Sequence, residues 1–506
     1  MSVVGCVLFF HVIIIYNFTD DSSEKGLYNI VFVIKAFFDM KILYITNYHD
    51  ISLGGDSRVS WELARECAKR QENDVWILRP GEEFKITRDN ISKELMVYDF
   101  PSSEVMYEYS FLKPSLLNMR RIFRLLDELA PDIIHSHFFS PIAFICQSWS
   151  LKQNIPFVFT SHFLASSSLD FQGTETFTKL SKLIKVPYNM YIRSFFNFCD
   201  SIITLNDNTK KDYEEFTKRN IRFDVIPNGV DLGSVNEDID HIDKFDGREL
   251  IFAGHLSKRK NQRFLIDSLN NLSHIKRITL KLAGNFMDEE YEIATRKAVK
   301  DLNKKHNVEL LGFVQHTDLM SMYSRSTYLV SASLMEVQSL VILEALASGL
   351  PVICLRNETT DELIIDGYNG FIIGKDSSEK DFASLIEKAF EVSTDEYVTL
   401  CYNARKTAQR FDWSNVVDET ISLYKQLIPS KRIIDEKAIG FDRILKILNI
   451  QDDSSKDEKQ PLHEEVTPRK RSDFLIISFV SSVILIFLAV MKVLSIFINR
   501  KEQSKE

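Results

Sequence analysis

Short apolar segments alternate with stretches of helical spacing from residue 40 to residue 374. The apolar segments fall into two groups along the chain. The first group comprises residues 41–48, 74–80, 132–139, 156–163 and 201–209. The second group comprises residues 249–256, 278–286, 308–314, 328–333, 350–355 and 370–374. Strands that alternate with helices form parallel βαβ units. The sequence therefore predicts an α/β protein with two doubly wound domains and a cleft between them.

The division between the two domains is marked by a turn-rich break at Asp224–Asp231 and by the charged stretch that follows it. We predict a first Rossmann-like domain over residues 40–232 and a second over residues 233–428. The second ends in an amphipathic closing helix at Asp412–Ile428. A highly charged tether follows over residues 429–472, and its composition is typical of a solvated linker rather than a domain.

The bulk composition narrows the class of protein. A chain of 506 residues with 45% hydrophobic and 26% charged residues is globular and too long for one core. Its net charge of −9 gives no reason to expect nucleic acid as a partner. The six cysteines are scattered without a CxxC pair, which disfavours a zinc site or a disulfide framework.

Two apolar segments lie outside the α/β pattern. Residues 474–491 contain no charged residue, and with residues 493–498 they are long enough for a transmembrane helix, which we place at 473–499 before a short tail at 500–506. The apolar run Val3–Tyr16 is short for a span, and no Lys or Arg precedes it. We therefore interpret residues 1–39 as an extension outside the enzyme, either a weak anchor or the result of a start codon placed too far upstream.

Two glutamates interrupt an otherwise apolar strand–helix–strand segment. Glu336 follows the strand at Tyr328–Ser333, and Glu344 lies inside the helix predicted at Ser339–Ser348. A buried carboxylate without a partner is costly. The free N–H groups at the start of this helix, near residues 337–340, form a ready anion site. A diphosphate bound there would leave one glutamate facing each end of a nucleotide-sugar, although an unrelated pair of structural glutamates has the same spacing.

The surrounding motifs identify a family. The segment "EVQSLVILE", followed by "ALASGLPV", resembles the E-x(7)-E motif and its ending in the retaining, glycogen-synthase-like glycosyltransferases of the GT-B class, often called family four. The segments "DIIHSHF", "VIPNGVD" and "AGHLSKRKNQRFLIDSL" match the same family and come in its order. Five weak motifs in the right order make a strong signal. The resemblance covers about residues 40–428.

The resemblance implies a hexosyltransferase with specific site residues. It places His137 beside the transferred sugar, Glu336 on that sugar and Glu344 on the nucleotide ribose. Lys260 would face the donor diphosphate. Further donor-binding positions are Gly54, Gly55, Val337, Gln338, Ser339 and Leu340, and His162, His255 and Arg259 are additional candidates.

Two departures from the family pattern concern the donor site. Many members have Arg at the position of His255, and a glycine-rich G-F-G stands where this chain has Val337, Gln338 and Ser339. The E-x-Q-[GS] variant is similar to some lipid-glycosylating members. We expect no cofactor and no metal, because the single D-x-D sequence, Asp238 to Asp240, lies in the linker and the cations can stabilise the leaving diphosphate.

The expected partners are a nucleotide-sugar, a lipid or lipid-linked glycan acceptor and a membrane. Basic amphipathic stretches at Lys113–Leu126 and Lys179–Phe198 suit an anionic membrane, although helices packed on the sheet with a solvated basic face would have the same pattern. We expect the catalytic domains on the cytosolic side. A nucleotide-sugar epimerase of the same fold and an inactive GT-B scaffold are the alternative functions.

Overall fold

A computed structural model of the chain describes residues 4–9, 12–17, 40–46, 55–70, 73–92, 94–106, 109–112, 116–166, 189, 191–217, 221–232, 241–275, 277–302 and 305–428. The predicted linker, transmembrane helix and tail over 429–506 lie outside the described residues. Within the described part of the chain, no helix has both the length and the apolar character needed to cross a bilayer. The predicted span at 473–499 therefore stays a prediction.

The N-terminal extension contributes a separate antiparallel hairpin. Its strands are β1 (Val4–Phe9) and β2 (Val12–Asn17), which pair only with each other. The next described strand begins at Met40, where the first large sheet starts. The described strands of the extension therefore belong to neither large sheet.

The first large sheet is built on a parallel core. Its strands are β3 (Met40–Ile45), β4 (Asn73–Gly81), β5 (Lys85–Arg88), β6 (Met96–Met106), β7 (Tyr109–Leu112), β8 (Ile133–Ser136), β9 (Phe157–Thr160), β10 (Ser201–Thr204) and β11 (Phe223–Val225). The order is β11-β10-β9-β8-β3-β4-β6-β5, with β7 paired to β6. Strands β5 and β7 are antiparallel to β6. None of β5, β6, β7 and β11 was predicted, and β11 overlaps the start of the predicted break at Asp224–Asp231.

Helices cover both faces of the first sheet, as a parallel sheet requires. They are α1 (Gly55–Lys69), α2 (Leu116–Leu129), α3 (Pro141–Gln153) and α4 (Asp207–Thr217). Residues of α2 and α3, including Ile122 and Phe144, share one core with Phe157 and Phe159 of β9. Helix α1 packs on the opposite face through residues such as Leu63.

The second sheet is wholly parallel. A short helix, α5 (His241–Asp246), precedes strands β12 (Glu249–Ala253), β13 (Thr279–Ala283), β14 (Asn307–Gly312), β15 (Tyr328–Ser331), β16 (Val352–Leu355) and β17 (Gly370–Ile373). The order is β14-β13-β12-β15-β16-β17, so successive strands are added on one side of β12 up to β14 and on its other side from β15 onwards. Ligand sites in doubly wound sheets lie at the carboxyl ends of the strands beside such a reversal of strand order.

The helices of the second domain lie between and after these strands. They are α6 (Gln262–Leu269), α7 (Glu289–Asp301), α8 (His316–Arg325), α9 (Leu340–Ala347), α10 (Glu358–Leu363), α11 (Glu379–Glu391) and α12 (Thr394–Ala408). Two cores, one on each face of the sheet, contain the inward residues of these helices. The prediction of two Rossmann-like α/β domains is therefore confirmed.

The closing helix, α13 (Trp413–Leu427), returns to the first domain. Its apolar residues Val416, Val417 and Leu423 share a core with β3 and α1. The crossing is tight, since a Cβ atom on Gly229 would lie 2.2 Å from the Trp413 ring. Chain order groups this helix with the second domain, whereas its packing ties that domain to the first.

Candidate functional site

Two loops at the reversal point of the second sheet hold the first glutamate and its cation. Glu336 lies in the loop after β15, and Lys260 lies in the loop after the neighbouring strand β12. The Lys260 ammonium donates to Glu336 Oε1, and the side chains are 13% and 9% exposed. The loops also meet through Arg259 Nη1, which donates to the Met335 carbonyl at 3.0 Å. The structure thus brings together three residues that the sequence nominated.

The negative charge of Glu336 is stabilised by the cations and the hydroxyl group around it. Burial alone would raise the pKa of the Glu336 carboxyl, but Lys260, Arg259 and the Ser333 hydroxyl outweigh it, so the pKa is lowered. A carboxylate that is held ionised in a buried place can accept hydrogen bonds from ligand hydroxyls. Glu336 is therefore an anionic acceptor rather than a proton donor at neutral pH.

The second glutamate faces the opposite domain. Glu344 lies on α9 with a side chain that is 6% exposed, and its Oε1 accepts from Arg58 of α1 and lies 3.2 Å from His316 Nε2. Arg58 Nη2 also lies 2.7 Å from His316 Nε2. Neither Arg58 nor His316 was nominated from the sequence. Glu344 therefore joins the two domains across the cleft.

Three histidines meet at the carboxyl end of β8 and β9. His137 Nδ1 lies 3.0 Å from His162 Nε2, and the two rings are stacked. The ring of His135 lies 4.4 Å from that of His137, centroid to centroid. Burial lowers the pKa of His135 and of His162 to about 3 and lowers that of His137 well below its ordinary value. The cluster is therefore neutral near pH 7.

His135 is saturated with hydrogen bonds from its own domain and the closing helix. Its Nδ1 lies 2.5 Å from Tyr424 Oη of α13, and its Nε2 lies 2.7 Å from Thr160 Oγ1. Tyr424 Oη in turn lies 3.0 Å from Tyr44 Oη of β3. His135 thus supports the site, and both of its nitrogens are already occupied.

His137 differs because one of its nitrogens has no hydrogen-bond partner among the described residues. This atom, Nε2, is buried, and Asn228 Oδ1 is likewise buried without a partner in the described part of the chain. Both side chains line one cavity between α1, the 226–228 segment and α13, together with Val59, Leu205 and Trp413. Unsatisfied buried polar atoms are rare and indicate a missing partner such as water or a ligand. The cavity is therefore lined by two polar side chains that can each form a further hydrogen bond.

The residues that replace the family's glycines bridge the domains. Gln338 Oε1 accepts from the Asn228 N–H at 2.6 Å, and Gln338 Nε2 donates to the Leu205 carbonyl at 3.4 Å. Asn206 Nδ2 donates to the Val337 carbonyl at 2.6 Å. The side chain that departs from the family pattern is thus used to hold the loop against the first domain.

The remaining nominated residues fall at the edge of the site. Ser339 precedes α9 as its N-cap, and Leu340 begins the helix. Gly55 begins α1, where a Cβ atom would lie 3.5 Å from Leu340 Cδ1, so the starts of α1 and α9 face each other. His255 is exposed, and its carbonyl accepts from Gln262 Nε2 at 2.9 Å. Gly54 and Asp238 to Asp240 lie outside the described residues.

Comparison with protein families decides the identity. The family model described as Glycosyltransferase Family 4 matches residues 53–234, and the model described as Glycosyl transferases group 1 matches residues 236–407. The chain belongs to the GT-B glycosyltransferases. It is therefore a transferase that uses a nucleotide-sugar, and the comparisons bring no support for the epimerase alternative.

Individual relatives of this GT-B enzyme are distant. An uncharacterized glycosyltransferase of Methanocaldococcus jannaschii is 26% identical over 346 residues, which are 67% of this chain and 87% of the relative. The alpha-monoglucosyldiacylglycerol synthase of Acholeplasma laidlawii is 24% identical over 323 residues, or 57% of this chain and 77% of the relative. The crystal structure of HepE from Anabaena with UDP and glucose superposes with a TM-score of 0.58 at 19% identity, covering 76% of this chain and 100% of HepE. At that identity the match shows the fold alone.

Proposed function

We propose that this GT-B enzyme transfers an α-linked sugar from a nucleotide diphosphate to an acceptor hydroxyl with retention of the anomeric configuration. The acceptor in this proposal is a lipid or a lipid-linked glycan at a membrane. Donor and acceptor meet in the cleft between the two domains, and the catalytic domains face the cytosol, where nucleotide-sugars are generally made.

The donor is placed by the charges at the reversal point of the second sheet. The diphosphate lies against the start of α9, near residues 337–340, where helix N–H groups have no intrahelical acceptor. Lys260 and Arg259 supply positive charge beside it. Glu336 accepts hydroxyl hydrogen bonds from the transferred sugar, and Glu344 accepts those of the ribose. HepE, a structural neighbour, was crystallised with UDP and glucose, which supports this ligand class.

The observation that carries the proposal is the carboxylate of Glu336, held beside Lys260 and Arg259 at the reversal point of the second sheet. A pair of unsatisfied atoms in the small cavity between the first domain and the closing helix α13 adds to it. His137 Nε2 and Asn228 Oδ1 are buried, have no partner among the described residues and line the same space. The cavity has room for about one water-sized group, and a hydroxyl there can donate to the imidazole nitrogen or to the amide oxygen. The neutral state of the histidine cluster suits hydrogen bonding to sugar hydroxyls rather than acid catalysis.

Retention is proposed through a front-face transfer. The acceptor oxygen bonds to the anomeric carbon as the bond from that carbon to the diphosphate oxygen breaks. The acceptor proton passes to the leaving phosphate. Glu336 is tied to Lys260 and does not serve as a covalent nucleophile in this proposal. Lys260, Arg259 and the start of α9 stabilise the charge that develops on the leaving diphosphate.

A lipid acceptor is supported by a relative and by surface chemistry. The Acholeplasma laidlawii relative is a diacylglycerol glycolipid synthase by name. On α2, Leu117, Arg120, Arg121 and Arg124 are exposed and occupy one helix face through their i, i+3, i+4 and i+7 spacing. A basic face with an apolar residue suits an anionic membrane surface. The proposed span at 473–499 would hold the cleft near the same surface.

The test is a transfer assay with a panel of radiolabelled nucleotide-sugars and extracted membrane lipids. The proposal predicts that label from one donor enters the organic phase, that transfer requires the lipid and that Glu336→Gln reduces it at least ten-fold. Conversion of the sugar without an acceptor would indicate the epimerase alternative. Absence of transfer and of nucleotide-sugar binding would indicate the inactive scaffold. Label only in water-soluble glycan would contradict the lipid acceptor.

A further inference from the structure

Through Arg58, the first domain contacts Glu344, the residue that we propose binds the ribose of the donor. Arg58 belongs to the first turns of α1, whereas Glu344 lies 286 positions later in the chain on α9. The arginine side chain is 33% exposed and the glutamate side chain is 6% exposed. A buried carboxylate is costly unless a cation or hydrogen bonds pair with it. Arg58 supplies that cation from the opposite side of the cleft.

His316 completes the group from within the second domain. Its Nε2 lies 3.2 Å from Glu344 Oε1 and 2.7 Å from Arg58 Nη2. A ring nitrogen carries either a proton or a lone pair, so Nε2 serves one of these contacts at a time, whereas Arg58 can only donate. The guanidinium is therefore the permanent partner of the carboxylate, and the imidazole is the interchangeable one.

The group still has capacity for a ligand. The contacts of the glutamate with Arg58 and His316 both use Oε1, which leaves Oε2 to accept further hydrogen bonds. The Tyr323 hydroxyl beside it is fully buried and has no hydrogen-bond partner among the described residues. Its pKa is raised by burial and by the charge of Glu344, and the charge of Arg58 acts in the opposite direction. These features fit a site that is completed by ligand hydroxyls.

We propose that Arg58 is a positioning residue of the donor site: it holds Glu344 Oε1 from across the cleft, so that Oε2 is presented to the donor only when the two domains are together. The proposal rests on the proposed function for the identity of the donor. Arg58 acts through Glu344 and touches no reacting atom. The contact of Arg58 with Glu344 therefore couples closure of the two domains to binding of the nucleotide.

The first test is a double-mutant cycle that measures ligand binding. The probe is UDP, the ligand of the HepE complex, and other nucleoside diphosphates are used if UDP does not bind. Arg58→Ala and Glu344→Gln should each weaken binding about five- to ten-fold, and the double variant should bind no more weakly than Glu344→Gln alone, because coupled residues are not additive. Arg58→Lys should recover part of the loss. Independent, multiplicative losses would show that Arg58 acts directly on the ligand and would overturn the proposal.

A second measurement needs no ligand. Spin labels on unnatural residues replacing Arg124 of α2 and Lys297 of α7, both exposed, report the distance between the domains. Arg58→Ala should broaden the distance distribution in ligand-free protein, and Arg120→Ala, a matched exposed arginine on the first domain, should not. An unchanged distribution in Arg58→Ala would overturn the proposal whether or not UDP binds. If no nucleoside diphosphate binds to the wild type, the proposed function fails separately.

Discussion

Lys260 and Glu336, 76 positions apart in the chain, form a buried ion pair where the loops after β12 and β15 meet. Removal of one member leaves the other charge buried without a partner. Lys260→Met should therefore lower the free energy of unfolding by about 3–5 kcal/mol. Lys388→Met is the matched control, because Lys388 pairs with Asp366 at the surface and should cost no more than about 1 kcal/mol.

Urea denaturation of both variants measures this difference. The pH dependence has a defined sign, because the folded-state pKa of Glu336 is lowered. Its contribution to stability is present above the ordinary carboxyl pKa of about 4.3 and is lost as the pH falls through the lower folded-state value. Equal losses for the two variants at pH 7 would contradict a buried pair.

The neutral histidine cluster predicts sensitivity to acid in a higher pH range. Because the pKa values of His135, His137 and His162 are all lowered, the unfolded chain binds protons that the folded chain excludes. Their stability contribution is present above the ordinary histidine pKa of about 6.5 and is lost as the pH falls towards 3. Each histidine should cost up to about 1.4 kcal/mol per pH unit in that window.

Urea denaturation at pH 7.0 and pH 5.5 tests this prediction. His162→Gln should show a smaller loss of stability between the two values than the wild type. His274→Gln, which changes an exposed histidine, serves as the control and should behave as the wild type does. A wild-type protein that is equally stable at both pH values would show that the cluster is not neutral and buried as described.

The closing helix is predicted to depend on one hydroxyl. Tyr424→Phe removes the oxygen that meets His135 Nδ1 and Tyr44 Oη. The buried His135 Nδ1 is then left without that partner, whereas Tyr44 Oη keeps its hydrogen bond to Cys67 Sγ. The variant should lose about 1–3 kcal/mol of stability. Tyr402→Phe, at a site that is 69% exposed, should be nearly neutral. Thermal denaturation compares the two, and equal midpoints would contradict the role of Tyr424 in anchoring α13.

The exposed basic face of α2 is predicted to bind anionic vesicles. Purified residues 40–428 should sediment with vesicles that contain phosphatidylglycerol, more at low salt than at high salt. Replacement of Arg120, Arg121 and Arg124 by Glu should abolish most of this binding, whereas Arg296→Glu on α7 of the second domain should leave it intact. Equal loss in both variants would point to net charge rather than to this face.

Transfer is predicted to continue without a divalent metal. Lys260 and Arg259 are the cations we assign to the leaving diphosphate, so chelation removes nothing from the proposed mechanism. Activity in excess EDTA should equal activity with added magnesium. Loss of activity in EDTA that manganese or magnesium restores would contradict the metal-free proposal.

Local pattern predicted the elements of the fold because each depends on neighbours in sequence. The apolar run at Tyr328–Ser333 contains β15, and the helix predicted at Ser339–Ser348 contains α9, Leu340–Ala347, with Ser339 as its N-cap. The partners of Glu344 could not be predicted in this way. Arg58 and His316 lie 286 and 28 positions from it, and their meeting depends on how the two domains close.

The packing partner of the closing helix also could not be predicted from local sequence pattern. Its amphipathic spacing at Asp412–Ile428 predicted a packed helix but not the surface that receives it. The contacts of Val416 and Tyr424 with the first domain come from the path of the chain across the cleft.

Strands β5, β7 and β11 were missed because strands of three or four residues have little apolar periodicity. Strand β6 was missed because Asp99 and the polar residues 102–104 interrupt its apolar pattern. His137 was nominated through the family motif, whereas the lack of a partner for its buried Nε2 is visible only in the structure.

The most direct test of the central claim is the anomeric configuration of the product. The enzyme is incubated with an α-linked nucleotide-sugar that the transfer assay has identified and with its lipid acceptor, and the new linkage is assigned by proton NMR from the coupling at the anomeric position. A retaining GT-B transferase gives an α-linked product, and Glu336→Gln forms the same product at least ten-fold more slowly. A β-linked product would contradict retention, and an unchanged rate in the variant would contradict the role of Glu336.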